Sequence, residues 1–328
     1  MKKALYFEDI SDGDIQCNLC PYQCAISPSK QGQCGVRINK NGELYTRTYG
    51  RISAMEMVPI ETLPLYHFHP GEKTLLIGTQ GCTMRCPFCN AWRYSQAGTR
   101  TFNLSPEEIV DAARKKGAGG VAFGVNEAAL DLEYIIDSAP LIHEAGMYVI
   151  MATNGFMQTA PLFEVLKYTD AVIVGIKGLN DKFHAKVCGG FRSEILNNVI
   201  SMNIKTYLEL SLIIIQGQND DEKEFEDFLQ WMSRLHPKPP PLHLLQYQPA
   251  FQYKYPATDP MIMFYLQEKA RRILPHVYLS NMTEREANAT YCPSCKVPLI
   301  LREQGSVVME NLNGSTCKKC GNKIPLIL

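Results

Sequence analysis

The chain predicts an α/β fold: a partial TIM-like (β/α)6 barrel, with a four-cysteine metal-binding segment before it and a small zinc-ribbon module after it. Three observations carry that expectation. Apolar runs of strand length alternate with helix-length amphipathic stretches through the middle of the chain, the pattern of parallel βαβ units. Polar residues follow directly on several of those runs, where a barrel places its chemistry. Eleven of the twelve cysteines fall into three spaced groups, one within the barrel stretch and one on each side of it. The expected division is 1–70 for the N-terminal segment, 71–283 for the barrel and 284–328 for the terminal module.

The elements follow in order. Thr74-Leu75-Leu76-Ile77-Gly78-Thr79 reads as a buried strand that delivers Cys82 to a loop at its C-terminal end. Ser105-Pro106-Glu107-Glu108 starts a helix, with Ser as cap, Pro in the first turn and Glu three residues on; the helix stops at Gly117. Strands are expected near 121–123, 148–152, 171–174, 205–215, 242–245 and 277–279. Helices are expected at 128–144, 160–168, 193–201, 222–235 and 259–274.

Composition narrows the function class. The chain has 328 residues, 45% hydrophobic and 20% charged, as an ordinary globular protein does. Lys+Arg and Asp+Glu both number 33, so no basic field recruits nucleic acid or an anionic membrane. No segment reads as a signal peptide or a membrane span, so a cytoplasmic address is expected, and cysteines there serve metals rather than disulfides.

Each cysteine group has its own chemistry. Cys82, Cys86 and Cys89 form C-x3-C-x2-C, with the aromatic Phe88 before the last. Three thiolates leave one iron of a 4Fe–4S cubane open to an external ligand, whereas closed zinc and ferredoxin sites use four. The motif resembles the signature of radical S-adenosylmethionine (SAM) enzymes. Cys292, Cys295, Cys317 and Cys320 form C-x2-C-x21-C-x2-C, two knuckles separated by strand-like sequence, the pattern of a zinc ribbon. Cys17, Cys20, Cys24 and Cys34 form C-x2-C-x3-C-x9-C. Their spacing admits zinc or an auxiliary iron–sulfur cluster, and a structural clamp is the preferred reading. Cys188 is expected to be a small buried residue, and His67 and His69 to be structural.

Asn126, Glu127, Thr153, Asn154, Lys177 and Gly217, at successive strand ends, are with Phe88 of the motif the candidates for holding SAM. Thr153 and Asn154 offer groups for a ribose or carboxylate. Lys177 suits the SAM carboxylate and Glu127 its ammonium or sulfonium. Gly155, Gly175 and Gly217 permit close backbone approach.

The chain resembles the AmmeMemoRadiSam branch of radical SAM proteins, relatives of pyruvate formate-lyase-activating enzyme. The likeness runs through Cys17-Asn-Leu-Cys20-Pro-Tyr-Gln-Cys24, Gly32-Gln-Cys34-Gly35-Val36-Arg37, the cluster motif, Thr153-Asn154-Gly155, Lys177-Gly178, Cys188-Gly189-Gly190 and the terminal ribbon. It implies one SAM-cleaving 4Fe–4S cluster, a 5′-deoxyadenosyl radical and an external one-electron donor of flavodoxin or ferredoxin type. It leaves the substrate open, either a protein, as in glycyl radical activation, or a small molecule. Four positions depart from the branch: Ala128-Ala129 replace Pro-Thr, Gly175 stands where an acidic residue is expected, and Gln248 stands where a histidine is expected. These departures put the pose of SAM and the bond broken in question. The alternatives are a group transferase, moving a methyl or 3-amino-3-carboxypropyl fragment, and a non-catalytic metal scaffold.

Overall fold

The computed structural model of the chain describes residues 1–303 and 305–328. Its centre is an eight-stranded sheet. The strands are β1 (Ala54–Pro59), β2 (Lys73–Gly78), β3 (Gly120–Phe123), β4 (Tyr148–Thr153), β5 (Ala171–Ile176), β6 (Tyr207–Ile214), β7 (Leu242–Gln246) and β8 (Val277–Tyr278). They lie side by side in sequence order, parallel from β2 to β8, with β1 antiparallel on the edge of β2. β1 and β8 each have one neighbour, so this is an open, partial barrel.

Helices connect the parallel strands: α1 (Pro106–Lys116), α2 (Leu132–Glu144), α3 (Thr159–Val165), α4 (Arg192–Lys205), α5 (Glu222–Ser233) and α6 (Pro260–Arg271). The expected signals operate as read. Ser105 and Glu108 form a reciprocal capping box at α1, and Gly117 ends that helix in the left-handed conformation at φ 69°.

Strand alternation divides the core into two layers. Val121, Phe123, Val149, Met151, Val172 and Val174 pack outward into the main core. Ala122, Ile150 and Ile173 point into the bore, where Leu63, Leu65 and Phe68 pack against them. The segment between β1 and β2 thus plugs the barrel. It is pinned by Glu209 of β6, whose Oε1 accepts the Tyr66 and His67 amides at 2.9 and 2.8 Å and whose Oε2 bonds His243 at 2.6 Å. His67 is fully buried and bonded to the Tyr278 hydroxyl at 2.5 Å, the structural role expected of it.

The flanking modules take opposite ends. The N-terminal segment, read from sequence as a metal-binding loop, folds into two small antiparallel sheets; strands 7–11, 14–17 and 25–26 make one, and strands 2–3, 43–46 and 37–40 the other. It lies at the C-terminal ends of the barrel strands, where Arg85 donates to Gln33 O at 3.1 Å. The terminal module carries strands 290–291, 298–303 and 306–309 and docks at the other end, on the plug. There Arg302 donates to Tyr66 O at 2.6 Å, and Ile327 N donates to His67 O at 2.8 Å. Among the described residues, no helix is long and apolar enough to cross a membrane.

Candidate active site

The loop after β2 carries all three motif cysteines to the mouth of the barrel. Gly81 opens it at φ +85°, a backbone conformation that costs a side-chain-bearing residue. A Cβ there would also stand 2.7 Å from the Cys34 carbonyl oxygen, so glycine permits the loop to pack on the N-terminal segment. Asn126, just past β3, holds the loop's backbone. Its side chain accepts from Thr79 N at 2.8 Å and donates to Gly81 O at 3.1 Å.

Hydrogen-bonding groups surround the sulfurs. Met84 N donates to Cys82 Sγ at 3.3 Å, and the Asn154 amide reaches the same sulfur at 3.7 Å. Ser95 Oγ lies 3.4 Å from Cys89 Sγ. A hydrogen bond with buried Cys188, together with burial, pushes the Cys86 thiol up in pKa. Burial does the same to Cys82 and Cys89. Such thiols stay protonated until a metal centre displaces the proton. Hydrogen bonds to cluster sulfurs are also among the protein's levers on reduction potential.

Beside the loop lies a cavity of about 340 Å³, within the range for small-molecule sites. Cys82, Cys86, Phe88 and Cys89 line it from the loop, and Asn126, Glu127, Thr153, Asn154 and Lys177 from the ends of β3, β4 and β5. Nine sequence-selected residues therefore meet in one space, because parallel strands in register present their C-terminal ends side by side.

Gly217 is the exception: it does not line the cavity, and its amide donates to Asp220 Oδ1 at 2.8 Å. It lies in the turn beyond β6, too far along the loop to return to the mouth. Gln248 is exposed and donates to Gln246 Oε1 at 3.0 Å, outside the cavity lining.

Several residues do more for the scaffold than the sequence indicated. Glu127 accepts from Thr153 Oγ1 at 2.5 Å, Asn154 N at 2.8 Å and Ala129 N at 3.0 Å, so it ties the end of β3 to that of β4. Burial raises its pKa, against the lowering effect of those three bonds. Lys177 arcs back over Gly175, with Nζ 2.5 Å from where a Cβ at 175 would stand. Glycine at 175 leaves the space that this lysine pose occupies. Sequence reasoning overlooked Ser211 on β6, Ser95 and Gln96 after the loop, and Thr62 and Pro64 of the plug, all of which line the cavity. Ser211 interrupts an apolar strand, a signal that was available; the plug residues gave none.

The motif cysteines and the terminal set differ in spacing. Cys292 and Cys320 hold their sulfurs 3.5 Å apart, Cys295 and Cys317 3.7 Å, and all four ligand atoms lie within 4.8 Å of one another. With Zn–S near 2.3 Å, tetrahedral sulfurs stand about 3.8 Å apart, so this set has the size of a single-ion site. Among the described residues it is the one group of three or more metal-ligating side chains that tight, and Cys82, Cys86 and Cys89 are more widely spread. Wide thiols ringed by hydrogen-bond donors beside a cavity fit a polynuclear cluster with an open coordination position.

The chain is similar to several known proteins. A solved domain of a pyruvate formate-lyase-activating enzyme from Bacteroides vulgatus overlays 49% of this chain and 99% of its own, at TM-score 0.43 and 19% identity. The E. coli pyruvate formate-lyase 1-activating enzyme is 28% identical over 153 residues, which are 44% of this chain and 61% of that enzyme. An uncharacterised protein of Methanocaldococcus jannaschii is 30% identical over the full length of both chains. The model of the radical SAM superfamily matches residues 76–232. This chain belongs to the radical SAM superfamily, as a relative of the pyruvate formate-lyase-activating enzymes.

Proposed function

We propose that the chain cleaves SAM reductively at a 4Fe–4S cluster held by Cys82, Cys86 and Cys89, and uses a 5′-deoxyadenosyl radical to take hydrogen from a substrate. The observation that carries this reading is the single cavity in which the three cysteines face the polar ends of β3, β4 and β5. When bound, the cluster supplies one electron to break a carbon–sulfur bond and an open iron for the amino acid end of SAM. Lys177 is the cation beside the cavity and is assigned the SAM carboxylate. Thr153 and Glu127 hold each other and the strand ends in place, while Asn154 fixes Thr83 and the Cys82 sulfur through one amide. Phe88 is buried, and with Ile173, Ile176, Ile213 and Leu245 it gives the cavity apolar walls that keep water from a radical.

Zinc is assigned to Cys292, Cys295, Cys317 and Cys320. An external donor of flavodoxin or ferredoxin type would supply the electron, and the substrate is a protein or a small molecule. Anaerobic incubation of the reconstituted, reduced protein with SAM tests the proposal. 5′-Deoxyadenosine as product is expected. Methylthioadenosine would instead identify aminocarboxypropyl chemistry, and unchanged SAM would leave the chain a scaffold.

A further inference from the structure

The N-terminal cysteines form a site that the proposed chemistry does not use. Cys17 ends the strand Asp14–Cys17, its amide bonded to Cys24 O at 2.9 Å, and Cys34 sits in the turn where Gly35 N reaches Gly32 O at 2.9 Å. Between them these backbone bonds bring four residues spread over eighteen positions around one cavity. Cys17, Cys20, Cys24 and Cys34 all line it, with Tyr22, Arg37 and Thr83. All four carry free thiols.

The spacing of these thiols separates the possible occupants. A zinc tetrahedron closes its sulfurs to about 3.8 Å and leaves no space between them. The terminal set shows that compact form; among the described residues, no three of the N-terminal sulfurs come within 4.8 Å of one another. Thiolates around an iron–sulfur core stand farther out, because each binds a different corner of a body that already contains sulfide. The motif cysteines of the mouth share the wide form.

Charge is consistent with such a body. Arg37 is fully buried on the cavity wall, pairs with Glu133 at 2.6 Å, and keeps a buried Nε with no hydrogen-bond partner. A guanidinium on the wall beside four thiols favours their ionised, metal-bound form. The site also abuts the mouth: Thr83, between two motif cysteines, lines the N-terminal cavity, and Cys34 and Cys82 line a common groove.

We propose that Cys17, Cys20, Cys24 and Cys34 hold a second iron–sulfur cluster, seated against the loop that carries the first. This site stands apart from the SAM reading, since its readout is metal and sulfide content rather than turnover.

The full-length protein with Cys82, Cys86 and Cys89 all changed to Ala, reconstituted anaerobically with iron and sulfide, provides the test. The expected variant keeps about four irons and about four sulfides per chain, with a paramagnetic signal on dithionite reduction. A folded variant without iron and sulfide overturns the proposal, whether or not zinc takes their place. If that variant does not fold, Cys20→Ser/Cys24→Ser in the otherwise unchanged chain decides. Iron falling by about half while zinc at the terminal set is retained supports the second cluster, and unchanged iron overturns it.

Discussion

Two four-cysteine modules flank one barrel, and they differ in almost every physical respect. The terminal module holds its sulfurs within 4.8 Å of one another, with Cys320 exposed, and packs on the plug at the base of the barrel. The N-terminal module spreads its four sulfurs around a cavity and packs on the cluster loop at the mouth. Equal numbers of thiols therefore stand in unlike settings. The compact set, Cys320 apart, sits within a small buried cluster with Leu299, Ile300 and Ile324, and the wide set borders the loop of the motif cysteines. Position in the barrel, rather than cysteine count, tells them apart.

The largest effect that bears on this contrast comes from the mouth itself. Changing Cys82, Cys86 or Cys89 to Ala should reduce SAM cleavage to background while far-UV circular dichroism and the melting transition stay close to those of the parent. Cys86 is one buried member of a large apolar core and Cys82 and Cys89 pack at its margin, so truncation to Ala removes little of that core. A Cys86→Ala protein that still cleaves SAM would remove the basis for the proposed chemistry.

At the base, Cys292→Ala should do the reverse. Structural zinc contributes folding free energy directly, so the melting temperature should fall by several degrees. Cleavage of SAM per folded molecule should be kept. A variant that melts like its parent but loses turnover would mean that the base module has a part in the chemistry, and the contrast between the two ends would fail.

Within the mouth, Lys177→Ala sharpens the assignment of the cavity. A charge-assisted hydrogen bond of roughly 1.5–3 kcal/mol corresponds to a ten- to hundredfold loss of SAM affinity, measured by titration into the reduced protein. Gly175→Asp is a companion test, because the new side chain must displace the lysine ammonium from its present pose. Equal SAM affinity in parent and Lys177→Ala would take the lysine out of the site.

The smallest expected effect is one of pH. Asp131 lies beneath the cluster loop, where Thr79 donates to its Oδ1 at 2.7 Å while its buried Oδ2 has no partner. Burial raises its pKa from 3.8 to about 8. Below about pH 4 the folded and unfolded chains both hold this proton; between there and about pH 8 only the folded chain does. Its contribution to stability is therefore fully present in acid and is lost as pH rises through that window. Asp131→Asn should melt higher than the parent at pH 8 and no higher at pH 4. A constant difference across that range would place the carboxyl in a more solvated setting.

How much was legible in advance depended on how far apart the interacting residues are in sequence. The helices and parallel strands were readable because their signals are local: capping residues, periodicity, and apolar runs ended by glycine. The antiparallel β1 and the plug after it were not, since a segment that fills a bore is recognised only by what surrounds it. Cys188 was correctly expected to be buried, yet its carbonyl accepts from Arg85 N at 2.8 Å, a bond to the motif loop that only the fold brings together. Gly217 was placed near the cavity by counting strand ends, and the turn after β6 carries it elsewhere.

By itself the sequence determined the superfamily and the thiol groups on offer to metals, because ligand type and spacing are covalent facts: three thiols at C-x3-C-x2-C, two C-x2-C knuckles, and polar residues directly after apolar strands. Only the tertiary structure decided where those groups stand. Strand register converged the ends of β3, β4 and β5 on one cavity, and Gly175 left the space into which Lys177 folds. Packing against opposite ends of the barrel set one four-cysteine group compact and the other wide. Sulfur separation is a through-space distance fixed by long-range contacts, and no spacing along the chain encodes it.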